Sequence, residues 1–178
     1  MKSLNIVSWN VNGLRAVLKK GFMEFLGNEN PDILGIQETK IQSEQLPEEI
    51  KSLDTYHTVW SYAEKKGYSG TGLFYKPEPV NLKISGFGSP ILEKEGRIIE
   101  IEYKYFTLFN IYFPNGQMSE ERLQYKLAFY DESLKYFINL RDRGKKLIIM
   151  GDYNTAHQEI DLKNPKSNED RSGFLPIE

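Results

Sequence analysis

Read as apolar and polar positions, the chain alternates short β-branched runs with stretches of helical spacing. Residues 4–9 read as a strand that empties into a polar turn, Asn10 to Gly13. Leu14, Val17, Leu18, Phe22, Phe25 and Leu26 then recur at three- and four-residue intervals, one face of a helix ending near Gly27-Asn28. Gly21 interrupts that face and predicts a break into two helices. Ile33, Leu34 and Ile36, preceded by Asn30-Pro31, predict a buried strand over 33–38, so the chain opens with a β-α-β unit. Pro47-Glu48-Glu49 has the composition of a first helical turn, with proline preset for the helix and acids suited to its dipole. Strands are predicted at 56–62, 72–76, 80–85, 97–103 and 106–113, with Pro and Gly between the later ones, which suggests antiparallel neighbours. Lys66 to Gly72 is a glycine-rich hairpin connection whose spacing matches no phosphate-cradling motif.

The longest helical pattern runs from Ser119 to Arg143. Ser119 can cap it, Glu120 and Glu121 suit its positive end, Arg141 and Arg143 lie near its negative end, and Gly144 stops it. Leu123, Leu127, Tyr130, Leu134 and Phe137 are its expected core stripe. A strand over 147–151 leads to Asp152, after which regular patterning fades. Strands interleaved with helices, and partly antiparallel, predict one layered domain over 1–178 with helices outside the sheets.

Four of the apolar runs end alike. Residues 5–9 lead to Asn10 and Asn12, residues 33–36 to Gln37-Glu38-Thr39-Lys40, residues 106–111 to Tyr112 and Asn115, and residues 147–150 to Gly151-Asp152-Tyr153-Asn154. A carboxylate at the mouth of a buried strand needs a partner, a hydrogen-bond network or a metal. Strands lying side by side would bring these ends to one rim, with Glu38 at the centre of the chemistry.

Composition narrows the classes. With 178 residues, 39% of them hydrophobic, the chain can bury a core. It has no cysteine, which excludes disulfides and thiolate metal sites and fits a reducing compartment, so the expected location is cytoplasmic. No apolar run reaches the length of a membrane span, and Met1-Lys2-Ser3 runs straight into a strand. The net charge of −2 gives no support to a purely electrostatic nucleic-acid binder, leaving local clusters such as Lys19-Lys20, Lys65-Lys66, Arg141 to Lys146 and Lys163 to Lys166. Glu38, Asp152, Asn10, Asn12, Asn115 and Asn154 offer hard oxygen atoms that suit Mg²⁺ or Mn²⁺. Phosphodiester hydrolysis needs an activated water, which a carboxylate such as Asp152 can orient. It also needs donors to the developing charge, a role open to Asn154 and Tyr112.

Six motifs occur in order: Trp9-Asn10-Val11-Asn12-Gly13-Leu14-Arg15, Gln37-Glu38-Thr39-Lys40, Gly67-Tyr68-Ser69-Gly70, Tyr112-Phe113-Pro114-Asn115, Gly151-Asp152-Tyr153-Asn154 and Ile160 to Lys166. Together they resemble the exonuclease III type of abasic-site endonuclease, within the endonuclease/exonuclease/phosphatase superfamily, across essentially the whole chain. The resemblance implies an α+β fold, a DNase I-like four-layer α/β/β/α sandwich, incomplete at its C-terminus. It implies a monomeric, Mg²⁺- or Mn²⁺-dependent phosphodiesterase of base-excision repair that acts on double-stranded DNA, cleaving 5′ to abasic sites and trimming 3′ ends. The implied metal group is Glu38, Asn10, Asp152 and Asn154, and the implied catalytic residues are Tyr112, Asp152 and Asn154. Arg15, Tyr68, Asn115, Asn164 and Asn168 fall where the family contacts DNA. Tyr153 departs mildly from the family's usual residue.

The family continues past the equivalent of Glu178 to a terminal Ser-Asp-His motif, which supplies a catalytic histidine absent here. The resemblance keeps His157 distinct from that histidine, and His57 lies in a strand. The chain by itself is therefore expected to show little turnover. Two other readings stand beside the leading one: a superfamily relative acting on inositol phosphates or sphingolipids, and a catalytically dead DNA-binding fragment.

Overall fold

The computed structural model describes residues 3–84, 87–117 and 119–178. They divide into two compact units, Met1–Tyr112 with Gly144–Asp152, and Phe113–Arg143 with Tyr153–Glu178.

The first unit holds two four-stranded sheets. Strand β1 (Ile6–Asn10) pairs in parallel with β2 (Ile33–Gln37). The link between them is the expected helix, broken at Gly21 into α1 (Leu14–Leu18) and α2 (Phe22–Glu29). Gly21 sits at φ +92°, a left-handed conformation that ends one helix and opens the next. Helix α3 (Glu48–Lys51) follows Pro47, which stands just outside its first turn. Strands β3 (His57–Ser61) and β4 (Thr71–Tyr75) are the expected antiparallel hairpin, giving the order β1-β2-β4-β3.

The second sheet runs β5 (Asn81–Lys83), β6 (Ile98–Glu102), β7 (Thr107–Tyr112) and β8 (Leu147–Asp152). Its first three strands are antiparallel, and β7 and β8 are parallel. The strand expected over 80–85 is shorter, and its residue 85 lies outside the described residues. Helix α4 (Pro90–Glu93) comes between β5 and β6.

Strand pleating sorts the apolar residues into two cores. Leu34, Ile36, Trp60 and Phe74 turn outward to Leu14, Val17, Phe22 and Leu26 of the helical layer. Ile33 and Leu73 turn inward to Ile99, Ile101, Leu108 and Met150 of the second sheet. Gly35 makes that inward contact possible, since a Cβ there would lie 2.8 Å from the Asn110 side chain and 2.3 Å from that of Met150.

In the second unit, α5 (Glu120–Asp142) is capped by Ser119, whose hydroxyl accepts from the Arg122 amide at 3.2 Å. Its expected stripe is corrected. The buried positions are Lys126, Phe129, Ser133 and Leu140, while Leu134 is 57% exposed. Two of the four buried residues are polar, so a count of apolar residues selects the neighbouring face. Phe129 meets Phe113 edge-on at 5.5 Å, and Phe113 stacks on Tyr130 and Tyr153. Beyond β8 only two short 3-10 turns interrupt the irregular segment, at Glu159–Asp161 and Pro165–Ser167.

Candidate active site

The site begins with how three strands end. Strand β2 runs buried to Gln37, and the next residue, Glu38, adopts φ +56°. A non-glycine residue in this left-handed region costs of order 1–3 kcal/mol and persists where its surroundings impose it. Asn12, Lys40 and Asn154 share the conformation, at φ +47°, +54° and +53°. On the second sheet, Tyr112 and Asp152 are register partners at the ends of β7 and β8. Gly151 sits at φ +141° beside them, where a Cβ would lie 1.8 Å from the Ile111 carbonyl oxygen. Only glycine allows Asp152 to follow at that point.

Asn10 joins the two sheets. Its Nδ2 donates to Glu38 Oε1 at 2.9 Å and to Asp152 Oδ2 at 2.7 Å. Its Oδ1 accepts from the Asn12 amide at 2.9 Å, which fixes which end of the carboxamide faces the carboxylates. The Tyr112 hydroxyl donates to Glu38 Oε1 at 2.8 Å, and Lys40 Nζ lies 2.8 Å from Glu38 Oε2 while also bonding Asn12 Oδ1. Burial alone would raise the Glu38 pKa, but donation from Asn10, Lys40 and Tyr112 outweighs it and holds the carboxyl below its ordinary value. Burial and the Glu38 carboxylate raise the Tyr112 phenol well above its ordinary range, so it remains a proton donor.

Sequence reasoning missed Arg97, which stands just before β6 and is 2% exposed. It donates to Glu95 Oε2 at 2.7 Å, to the Tyr112 carbonyl at 2.9 Å and to the Tyr68 hydroxyl at 3.0 Å. A lone arginine at a strand start carries no sequence signal that separates it from a solvated charge. Arg15, expected against DNA, is exposed and shares a cleft with Lys19, Lys20, Thr39 and Lys40. Tyr68 is half-buried, with Lys65 Nζ over its ring at 5.3 Å.

The other expected residues belong to the second unit. Asn154 Nδ2 donates to the Phe113 carbonyl at 2.8 Å, and the Asn154 carbonyl accepts from Lys126 Nζ at 2.8 Å. Lys126 is fully buried and pairs with Glu178 Oε1 at 2.6 Å. Asn115 is exposed and its Oδ1 accepts from the Gln117 amide at 2.8 Å. Asn168 donates its side-chain amide to the Asn164 carbonyl at 2.7 Å. His57 and His157 are both exposed, the former 3.2 Å from Glu78.

Among the described residues no group of three or more His, Cys, Asp or Glu side chains gathers to hold a metal, and no helix is long and apolar enough to cross a membrane. Two carboxylates spanned by one amide nevertheless fit a hard cation such as Mg²⁺, which keeps several waters and takes one or two carboxylates plus substrate oxygens.

A two-sheet α+β fold with a carboxylate–amide–phenol cluster at its strand ends defines a class, and the chain belongs to it: the Endonuclease/Exonuclease/phosphatase family, whose model matches residues 7–176. The chain is 45% identical to an exodeoxyribonuclease of Bacillus subtilis, covering 96% of this chain and 66% of that protein. It is 43% identical to the DNA repair nuclease APEX1 of Danio rerio, covering 99% of this chain and 57% of that protein. Among solved structures, an AP endonuclease from Archaeoglobus fulgidus superposes with a TM-score of 0.86 at 29% identity, over 98% of this chain and 66% of that one. The DNase I-like fold expected from the motifs is thus the one observed, and the chain spans less than two thirds of the length of these relatives.

Proposed function

We propose that the protein carrying this chain is a divalent-metal-dependent DNA phosphodiesterase of base-excision repair, cleaving 5′ to abasic sites and removing nucleotides or blocking groups from 3′ ends. The observation that carries the reading is the Asn10 amide spanning Glu38 and Asp152, with the Tyr112 phenol donating into the same cluster. Relatives named exodeoxyribonuclease, DNA repair nuclease and AP endonuclease support the substrate class.

Glu38 and Asp152 would hold the Mg²⁺ or Mn²⁺, which when bound supplies charge stabilisation to the phosphoryl oxygens. Tyr112, kept protonated, donates to a phosphoryl oxygen of the scissile group. Asp152 orients the attacking water and accepts its proton. The Asn154 amide donates to the negative charge that develops on the phosphoryl group. Asn10 keeps the two carboxylates at one spacing. Arg15, Tyr68, Asn115, Asn164 and Asn168 contact the duplex backbone.

The test is cleavage of a duplex with one abasic site by the protein expressed from its complete reading frame, with Mg²⁺ and with chelator, beside an inositol-phosphate substrate. Metal-dependent incision of the duplex is expected. Turnover of the inositol phosphate with an untouched duplex would overturn the reading.

A further inference from the structure

Arg97 does more than fill a place in the core. A guanidinium that is 2% exposed is costly unless its donors are used, and this one uses all three of its nitrogens. A buried arginine of this kind is ordinarily a strut between main-chain carbonyls and an acid. Two of the partners here are instead residues of the candidate site. Nη1 holds the carbonyl of Tyr112 at 2.9 Å and Nη2 holds the phenol oxygen of Tyr68 at 3.0 Å. The guanidinium carbon also lies 4.6 Å from the centroid of the Tyr112 ring and 5.7 Å from that of Tyr68. One rigid planar group therefore fixes the ring that donates to Glu38 and the ring of the Gly67–Gly70 loop.

We propose that Arg97 is a positioning residue that couples Tyr68 to Tyr112, so that a contact made by the Tyr68 loop is felt in turnover as well as in binding. The proposal rests on the nuclease reading above. The guanidinium is the link because only a planar fork reaches the Tyr112 carbonyl and the Tyr68 hydroxyl together. Lysine keeps the charge and loses the second arm.

The test is a double-mutant cycle with Tyr68→Phe and Arg97→Lys, in the protein expressed from its complete reading frame, on an abasic duplex in Mg²⁺. Tyr68→Phe keeps the ring and removes the hydroxyl, so kcat should fall roughly 3- to 10-fold with a smaller change in KM, the range for one hydrogen bond. Arg97→Lys should lower kcat about 10- to 100-fold, as for lost bonds to a charged group. The double variant should be no worse than Arg97→Lys alone, whereas fold-changes that multiply would overturn the coupling. A second measurement needs no turnover. With ring-labelled tyrosine, Tyr68→Phe should displace the Tyr112 NMR signal, assigned with Tyr112→Phe, in the Arg97 background and leave it in place in Arg97→Lys. An unmoved Tyr112 signal overturns the coupling even if Arg97→Lys fails to fold. A Tyr112 signal displaced by Tyr68→Phe, in a protein whose wild type incises no abasic duplex, overturns the nuclease reading alone.

Discussion

Asn110, in the middle of β7, extends its side-chain oxygen to 2.7 Å from Gln37 Nε2 at the end of β2, joining one sheet to the other. Its amide nitrogen donates to the carbonyls of Ile36 and Gly72 at 3.2 and 2.9 Å, and the side chain is fully buried. Asn110→Leu keeps the volume and removes one acceptor from Gln37 Nε2, which retains Ser8 Oγ and the Gly35 carbonyl, and the donor to two buried carbonyls. A buried polar group left unsatisfied costs about 1–3 kcal/mol. Urea unfolding should show a loss of at least the lower figure, and an unchanged midpoint would mean that the sheets dock without this lock.

Glu38→Ala should weaken Mg²⁺ or Mn²⁺ binding. Losing even an outer partner of a ligand costs about 10–100-fold in metal affinity, so losing the carboxylate itself should cost no less. Calorimetric titration reads this directly, and equal affinity in the variant would move the ion elsewhere.

Acid should unfold the protein partly through two carboxyls. Burial raises Glu38 and Glu178, but donors win at both: Asn10, Lys40 and Tyr112 at the first, and Lys126, Ser172 and the Leu175 and Gly173 amides at the second. A pKa lowered in the folded state gives stability that is complete above the ordinary value of 4.5 and is lost as pH falls through the folded value. Urea midpoints from neutral pH downward should therefore hold and then drop below that point. Glu38→Gln, already without the charge, should start lower and drop less steeply. Parallel curves would contradict the assignment.

Lys126 and Glu178 are 2.6 Å apart with both side chains fully buried, and the same lysine holds the Asn154 carbonyl. Lys126→Met strands a buried carboxylate, a change that typically costs about 3–5 kcal/mol. Adding Glu178→Gln should recover much of the thermal midpoint by removing the stranded charge. A double variant no more stable than Lys126→Met would show that the lysine matters through Asn154 instead.

The sequence disclosed this site unevenly, for physical reasons. Asn10, Glu38, Tyr112 and Asp152 were legible because each ends an apolar run, where a polar side chain breaks a pattern. Asn110 sits inside such a run and reads as one more strand residue, although its amide secures the two sheets. Arg97 opens a strand, where charge is usual, and only the fold turns it inward against two phenols. The buried face of α5 was hidden for the opposite reason. Lys126 and Ser133 lie on it, so the pairing that permits their burial had to be seen first.

The division of the Asn10 cluster between sheets also bears on how the protein is made. Asn10 and Glu38 come from one sheet, Tyr112 and Asp152 from the other, and the Asn10–Asp152 bond closes a span of 142 residues. During synthesis the first sheet can be complete before β8 has left the ribosome, with Asn10 and Glu38 already side by side and no aspartate to meet. Neither sheet holds the whole cluster, so a half-made chain lacks it. A loosened form that keeps its strands but lets the sheets slip would lack it equally. An intact cluster is thus a mark of docked sheets rather than of secondary structure alone.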